Sequence, residues 1–248
     1  MSPFFFFGNK QEIVRSVRRT AFTANSELFS CCELLHRELT IMLKDATPFI
    51  ISALALAALT ILAAQYYTNY FYILTALFVL LALFVAYFFR NPDRDSPTDP
   101  NLVLSPADGH VSFIKQGIDS TVVSVFLSVF DVHVNRTPIA GTITKVEYKE
   151  GQFLNALNHR SSTDNEQNVI TVQNEKMEIT FSQIAGVIAR RIVFWPKVGN
   201  QLKPGERIGL IKFGSRTDIV LPPKVKIEVT KGQKVVGGLT VIGRLTNE

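Results

Sequence analysis

The sequence predicts a mainly β domain, barrel-like or sandwich-like with some α-helix, preceded by an N-terminal hairpin of two transmembrane helices. Two observations carry this prediction. Residues 46–89 contain no Asp, Glu, Lys, Arg or His, and the chain after them alternates short β-branched runs with turn signals. The chain is 47% hydrophobic and only 19% charged. Because this excess lies mostly in the uncharged block, a purely soluble chain and a disordered chain are both excluded.

The N-terminal arm, residues 1–47, is predicted to be separate from the folded domain. It lacks the short apolar stretch and small-residue cleavage site of a signal peptide. Met42 offers an alternative start just before the uncharged block, so we attach no function to residues 1–41. The only cysteines, Cys31 and Cys32, are neighbours in this arm, which excludes a disulfide-stapled secreted domain.

Residues 48–89 are predicted to cross a membrane twice. As one helix, the uncharged block would be about 66 Å long, roughly twice the hydrocarbon thickness of a bilayer. We therefore place one span at residues 49–67 and a second at 70–89, joined by the polar pair Thr68 and Asn69. With so short a link the two spans must be antiparallel.

The basic residues around this hairpin predict its orientation. They flank its outer ends, with Arg37 and Lys44 before it and Arg90 after it, and the link contains none. The positive-inside rule places both outer ends in the cytoplasm. We therefore expect a protein of the cell (inner) membrane whose main domain lies on the cytoplasmic face.

Residues 90–248 are predicted to form one β-rich domain with its own core. A polar, proline-rich linker opens it at residues 91–101. Turn signals such as Asp-Gly, Pro-Gly and Gly-Gly then separate short β-branched runs at residues 110–114, 121–130, 141–148, 168–173, 177–181, 187–194, 207–213, 218–221, 225–229 and 239–245. Between them, residues 155–168 are polar and predict a surface loop or a short helix.

Three side chains of this domain are candidates for chemistry. Asp108 lies in the turn sequence SPADG, His133 lies at the end of an apolar run between two valines, and Ser215 follows Gly214 between two predicted strands. Each also has a purely structural interpretation: Asp108 and Ser215 could belong to ordinary Asp-Gly and Gly-Ser turns, and His133 could be a buried histidine with hydrogen-bond partners in the core. The histidines show no metal-ligand spacing, so we expect no metal site.

The region around Ser215 is strongly basic. Residues 186–216 contain one acidic residue, Glu206, and seven basic ones: Arg190, Arg191, Lys197, Lys203, Arg207, Lys212 and Arg216. This stretch carries a charge of +6, whereas the whole chain carries +5. On a membrane-anchored domain, such a stretch favours anionic lipid headgroups as the partner, and nucleic acid is not expected.

Together these motifs closely resemble the short, membrane-anchored type of phosphatidylserine decarboxylase. After the hairpin, the chain carries FRNPDR at 89–94, SPADG at 105–109, FDVHVN at 130–135, IAGVIARRI at 184–192 and KFGSR at 212–216. The resemblance covers about residues 42–245. Long-form members usually carry LGST at the processing site and a second histidine three residues before the one that matches His133. Here those positions hold FGSR and Phe130, so no role of a second histidine is carried over.

The resemblance implies a self-processing zymogen whose cofactor is a pyruvoyl group made from Ser215. His133 would deprotonate the Ser215 hydroxyl, with Asp108 holding the imidazole, and the hydroxyl would attack the carbonyl of Gly214. β-Elimination would then split the chain between Gly214 and Ser215 and leave the pyruvoyl group on the small chain.

The implied reaction converts phosphatidylserine to phosphatidylethanolamine and CO2 through a Schiff base with the pyruvoyl carbonyl. A carbonyl of this kind is needed because no ordinary side chain accepts the electron pair that decarboxylation leaves. The implied partners are phosphatidylserine in the membrane and the large and small chains of the precursor, residues 1–214 and 215–248. A homo-oligomer is left open.

Two interpretations from other classes also remain open. A non-catalytic, lipoyl-like membrane adaptor domain is consistent with residues 141–146 and 235–239, and it would need neither His133 nor Ser215. A membrane-tethered serine hydrolase would use Asp108, His133 and Ser215 but would stay in one piece. An intact chain after purification would favour either of these over the decarboxylase.

Overall fold

The computed structural model describes residues 46–158, 160–187, 191–212 and 214–246. All but the last two residues of the predicted arm lie outside these ranges. The chain divides into two compact units, residues 1–85 and 86–248. The second unit contains all the strands of the described residues and all three candidate side chains.

Two apolar helices begin the described chain. Helix α1 spans Ala46–Tyr66 and helix α2 spans Phe71–Phe88. Both are long and apolar enough to cross a membrane. A bond of 2.8 Å between the hydroxyls of Thr60 and Thr75 joins the two helices. The predicted pair of apolar helices is confirmed, and such a pair could form a transmembrane hairpin.

The regular structure in the rest of the described chain is almost entirely β. Its strands are β1 (Leu102–Leu104), β2 (Gly109–Gln116), β3 (Thr121–Leu127), β4 (Val134–Arg136), β5 (Gly141–Lys149), β6 (Gln167–Gln173), β7 (Glu178–Ile184), β8 (Ile192–Phe194), β9 (Gln201–Leu202), β10 (Arg207–Ile211), β11 (Ser215–Leu221), β12 (Val225–Ile227), β13 (Lys234–Val235) and β14 (Val241–Leu245). A four-residue helix, α3 (Ser161–Asp164), lies within the predicted polar segment. The mainly β fold class is confirmed.

The strands form one large sheet and two small ones. The large sheet has eight strands in the order β13-β2-β3-β11-β7-β6-β5-β9, and the small sheets have the orders β1-β14-β12 and β4-β10-β8. All paired strands are antiparallel. Among the described strands no sheet closes into a barrel, so the domain is built from open sheets. Strand β11 lies in the interior of the large sheet, between β3 and β7.

One face of β11 passes from an apolar core to a polar end. Ile219 and Leu221 belong to the main hydrophobic core, together with Val123 and Val125 of β3. Side chains alternate along a strand, so Ser215 and Thr217 share this face. Each large side chain buried by the apolar half of this face stabilises the fold by about 1.5–3 kcal/mol. The polar half, with Ser215 and Thr217, lies at the end of the same core.

Candidate active site

Ser215 is the first residue of β11 and is fully buried. Its Oγ has no hydrogen-bond partner among the described residues. Gly214 precedes it with a φ of +63°, in the left-handed region that glycine adopts without a steric penalty. Gly214 therefore forms a bend that leads directly into β11, an interior strand of the large sheet.

The carbonyl oxygen of Gly214 lies directly against Gly186. A Cβ atom built on Gly186 would be 2.2 Å from that oxygen and 3.2 Å from the carbonyl carbon. Any side chain at position 186 would overlap the carbonyl. Glycine is therefore required here because there is no room for a Cβ atom, and not because of its backbone conformation. The backbone of the segment after β7 thus forms a cradle for the carbonyl group that precedes Ser215.

His133 lies just before β4 and is 2% exposed. Its Nδ1 lies 2.9 Å from the Asp131 carbonyl oxygen. Because a carbonyl can only accept, Nδ1 carries the proton and Nε2 has a free lone pair. Nε2 is buried and has no hydrogen-bond partner among the described residues. The ring packs on Phe88 of the same compact unit, with centroids 4.0 Å apart.

Burial sets the protonation state of this histidine. Loss of hydration lowers the pKa of His133 from 6.5 to about 4, although the carbonyl and the charge of Asp131 act in the opposite direction. The imidazole is therefore neutral at pH 7. A neutral imidazole with an unoccupied Nε2 is the form that a general base requires.

Asp108 is bound to an arginine that sequence reasoning did not select. Both of its carboxylate oxygens accept hydrogen bonds from the Arg94 guanidinium, at 2.6 and 2.8 Å, and Oδ1 also accepts from the Gly237 amide at 2.8 Å. Such a bidentate pair fixes both the position and the plane of the carboxylate. Here the structure differs from the expectation that Asp108 holds the imidazole, because the backbone at Asp131 does so. Asp108 acts on His133 only as a nearby negative charge that raises its pKa.

A row of buried amides and a hydroxyl crosses the sheet beside Ser215. Thr217 of β11 is paired with Gln183 of β7, which is paired with Asn168 of β6. Asn168 donates to Gln183 Oε1 at 3.3 Å, and Gln183 donates to Asn135 Oδ1 at 2.8 Å. Asn135 follows His133 by two residues, so this row connects β4, which His133 precedes, to β11, which Ser215 begins.

Arg216 points to the opposite face of β11 and anchors the neighbouring loop. Its fully buried guanidinium forms an ion pair with Asp218, donating to Oδ2 at 3.0 Å, and it also donates to the hydroxyl of Ser162. It further donates to the carbonyls of Ala156 and Asn158, each at 3.1 Å. The predicted polar segment is therefore fastened to β11 and is only partly a surface loop.

The predicted cationic stretch does not form a single solvated face. Arg216 is buried against an aspartate, and Arg207 forms an ion pair with the linker before β1. Lys197 and Lys203 are exposed, and Arg190 lies outside the described residues. The charge available to a lipid surface is therefore smaller than the sequence total indicates.

Sequence reasoning overlooked Arg94 and Gly186 as site residues. Both lie in motifs that carried the resemblance, FRNPDR and IAGVIARRI, but a motif does not tell which side chain or backbone atom meets the site. Thr217 and Gln183 gave no sequence signal, because their role depends on which strands are neighbours in the sheet.

Comparisons with known proteins point to one family. A family model described as phosphatidylserine decarboxylase matches residues 81–243. A protein of Solibacter usitatus is 55% identical over 166 residues, which cover 67% of this chain and 81% of that protein. A protein of Chlorobium phaeobacteroides is 50% identical over 169 residues, covering 66% and 79%, and one of Wolbachia pipientis is 47% identical over 178 residues, covering 67% and 77%. All three are named phosphatidylserine decarboxylase proenzyme. The chain therefore belongs to the phosphatidylserine decarboxylase family, a family of lyases.

Proposed function

We propose that the chain cleaves itself between Gly214 and Ser215 and uses the pyruvoyl group so formed to convert phosphatidylserine to phosphatidylethanolamine and CO2. The observation that carries this proposal is the pair of buried, unpartnered atoms, Ser215 Oγ and His133 Nε2. The name proenzyme, which the relatives bear, supports processing. The comparisons give no support to an adaptor domain or to a serine hydrolase.

The residues present fit the formation of a pyruvoyl group. Ser215 supplies a hydroxyl that makes no competing hydrogen bond, and Gly214 supplies a carbonyl without a side chain to block attack. Gly186 leaves just enough room for the carbonyl oxygen. Once formed, the pyruvoyl group supplies a carbonyl that can accept the electron pair released when a carboxylate leaves.

Self-cleavage uses only atoms of the chain and one water. His133 Nε2 takes the proton of Ser215 Oγ, which attacks the Gly214 carbonyl carbon. The peptide C–N bond breaks as His133 passes the proton to the Ser215 nitrogen, and an ester and a free amine result. Loss of the Ser215 α-proton then expels the Gly214 carboxylate, which cuts the chain. Water hydrolyses the remaining unsaturated residue, ammonia leaves, and a keto group remains at position 215.

Asp108 and Arg94 have a supporting role in this proposal. Their ion pair is nearly buried, with side-chain exposures of 15% and 6%, so Arg94 fixes the position of the negatively charged carboxylate of Asp108. That charge favours the imidazolium that forms when His133 accepts the serine proton. We therefore assign Asp108 to electrostatic stabilisation of His133 and Arg94 to its positioning.

The decisive experiment is the mass of the purified protein. The wild type should yield two chains, residues 1–214 and 215–248, and the small chain should resist Edman degradation because its N-terminus is a ketone. Ser215→Ala should remain one inactive chain, and Ser215→Cys should cleave slowly through a thioester. Ser182→Ala is a matched control, since it removes another buried hydroxyl of the same sheet and should still cleave. An active, uncleaved wild type would refute the proposal.

We also propose that the two apolar helices anchor the domain to the cytoplasmic face of the cell inner membrane, where phosphatidylserine is available. Uncharged residues link the helices, and Arg90 follows the second one. In a background without Cys31 and Cys32, a cysteine introduced at Asn101 should react with an impermeant reagent only after the cells are opened. A cysteine at Asn69 should react in sealed cells, and labelling of the Asn101 variant in sealed cells would overturn this topology.

A further inference from the structure

Two buried hydrogen-bond donors near Ser215 are not used by the proposed self-cleavage. Asn135 Nδ2 and Thr217 Oγ1 have no hydrogen-bond partner among the described residues, and both side chains are fully buried. A buried polar group without a partner destabilises a fold by about 1–3 kcal/mol. A ligand oxygen that accepts from these donors would remove that penalty.

The strand register brings both donors to the site. Thr217 shares the face of β11 with Ser215. Asn135 is in β4, two residues after His133, which precedes that strand. Gln183, the neighbour of Thr217 on β7, donates to Asn135 Oδ1 at 2.8 Å. This bond occupies the oxygen of the Asn135 amide and leaves its NH2 group for a ligand.

The donors on this face of β11 are uncharged. The strand's buried charges, Arg216 and Asp218, are on the opposite face and neutralise each other. Neutral donors suit a carboxylate that is to lose CO2, because its charge moves away in the transition state. A cation would stabilise the charged ground state more than that transition state.

We propose that Asn135 Nδ2 and Thr217 Oγ1 bind the carboxylate of the serine headgroup, and that Gln183 is the positioning residue that orients Asn135. This inference rests on the proposed function and names the part of the lipid that the polar row recognises. Phosphatidylethanolamine has the same amine and phosphate but no carboxylate, so it serves as the matched probe.

The test compares trapping of the two lipids on the small chain. Phosphatidylcholine vesicles that contain either phosphatidylserine or phosphatidylethanolamine are incubated with the cleaved protein and cyanoborohydride, and the initial rate of mass increase of residues 215–248 is measured. Thr217→Val removes the hydroxyl at constant volume. Asn135→Asp keeps an oxygen for Gln183 but replaces the NH2 donor by a second oxygen.

Both variants should cleave themselves, and both should trap phosphatidylserine about 10- to 100-fold more slowly, as expected for a lost hydrogen bond to a charged group. Trapping of phosphatidylethanolamine should stay within about twofold of the wild type. Thr171→Val is the control: it removes a buried hydroxyl of the same sheet that is bonded to Thr180 at 3.0 Å, and it should change neither rate.

Each contrary result has a distinct meaning. If the variants trap both lipids equally more slowly, or trap both at the wild-type rate, these donors do not recognise the carboxylate. Failure of both variants to cleave would assign the donors to self-processing and would also overturn it. A wild type that stays uncleaved or traps neither lipid would refute the proposed function itself.

Discussion

Replacing Gly186 by alanine should block the self-cleavage step through direct contact with the carbonyl group that is attacked. The added Cβ would be 2.2 Å from the Gly214 oxygen. Carbon and carbonyl oxygen normally approach to about 3.3–3.6 Å. One of the two segments must therefore move by about 1 Å, and the Gly214 carbonyl is the group whose position matters for attack by Ser215.

The displacement sets the size of the effect. A misplacement of about 1 Å at reacting atoms lowers a rate by about 100-fold. Overpacking of a well-packed site also destabilises a fold by about 1–3 kcal/mol. We therefore expect Gly186→Ala to accumulate as a folded precursor, with a melting temperature reduced by only a few degrees.

Cleavage of freshly synthesised protein can be followed by gel electrophoresis of pulse-labelled chains. Gly243→Ala is the matched control, because its Cβ would crowd Val225 at 2.7 Å and the carbonyl oxygen of Lys226 at 2.9 Å in a different sheet. It should lose comparable stability and still cleave. Cleavage of folded Gly186→Ala at the wild-type rate would show that the carbonyl is not held by this contact.

Four further predictions concern charged and titratable groups. His133→Ala should slow self-cleavage by about 10²–10⁴-fold; full processing of this variant would assign the base elsewhere. The pKa of His133 is about 4 in the fold and near 6.5 when unfolded, so the unfolded chain binds more protons between these pH values. The precursor should therefore lose up to about 3 kcal/mol of its free energy of unfolding as the pH falls from 6.5 to 4. Calorimetry of the uncleaved Ser215→Ala variant should show this pH dependence, and the Ser215→Ala/His133→Ala variant should lack it. Asp108→Asn and Arg94→Ala should each slow cleavage less than His133→Ala, and the double variant should be no slower than the slower single variant, since one ion pair is lost in every case; additive effects would separate their roles. Replacing the exposed Lys197 and Lys203 by glutamine should reduce the binding free energy for anionic vesicles at low salt by about 1 kcal/mol for each lysine, and should make binding less dependent on salt. An unchanged salt dependence would show that these lysines do not contact the lipid surface.

The architecture could be predicted from the sequence because its signals are local. A long block without charged residues and a series of β-branched runs between turn residues are each visible in a short window. The sequence pattern could not predict that the sheets are open, because closure of a sheet into a barrel depends on whether its two edge strands pair with each other. It predicted a surface loop or a short helix at residues 155–168 but not the attachment of this segment to the interior, because its buried partner, Arg216, is 60 and 58 residues away from Ala156 and Asn158 in the chain.

The candidate site was only partly predictable for the same reason. Ser215 and His133 were selected by residue type and setting, and the structure buries both without partners for Oγ and Nε2. The partner of Asp108 could not be deduced from an Asp-Gly turn, because Arg94 comes from the linker before β1. The contact of Gly186 with Gly214 depends on the placement of β11 beside β7, which joins residues that the sequence separates by a long stretch.

The interior position of β11 has a consequence for how the mature protein would unfold. Cleavage before Ser215 would make an inner strand of the large sheet into a chain terminus, still paired on both sides and held by the hydrogen bonds of Arg216 to the carbonyls of Ala156 and Asn158. The two chains would then have to find each other again after unfolding, so refolding would become a bimolecular reaction that depends on protein concentration. The precursor would refold as a single molecule, whereas the two chains of the denatured mature enzyme would stay unfolded after dilution. The lifetime of the mature enzyme would therefore be set by its rate of unfolding.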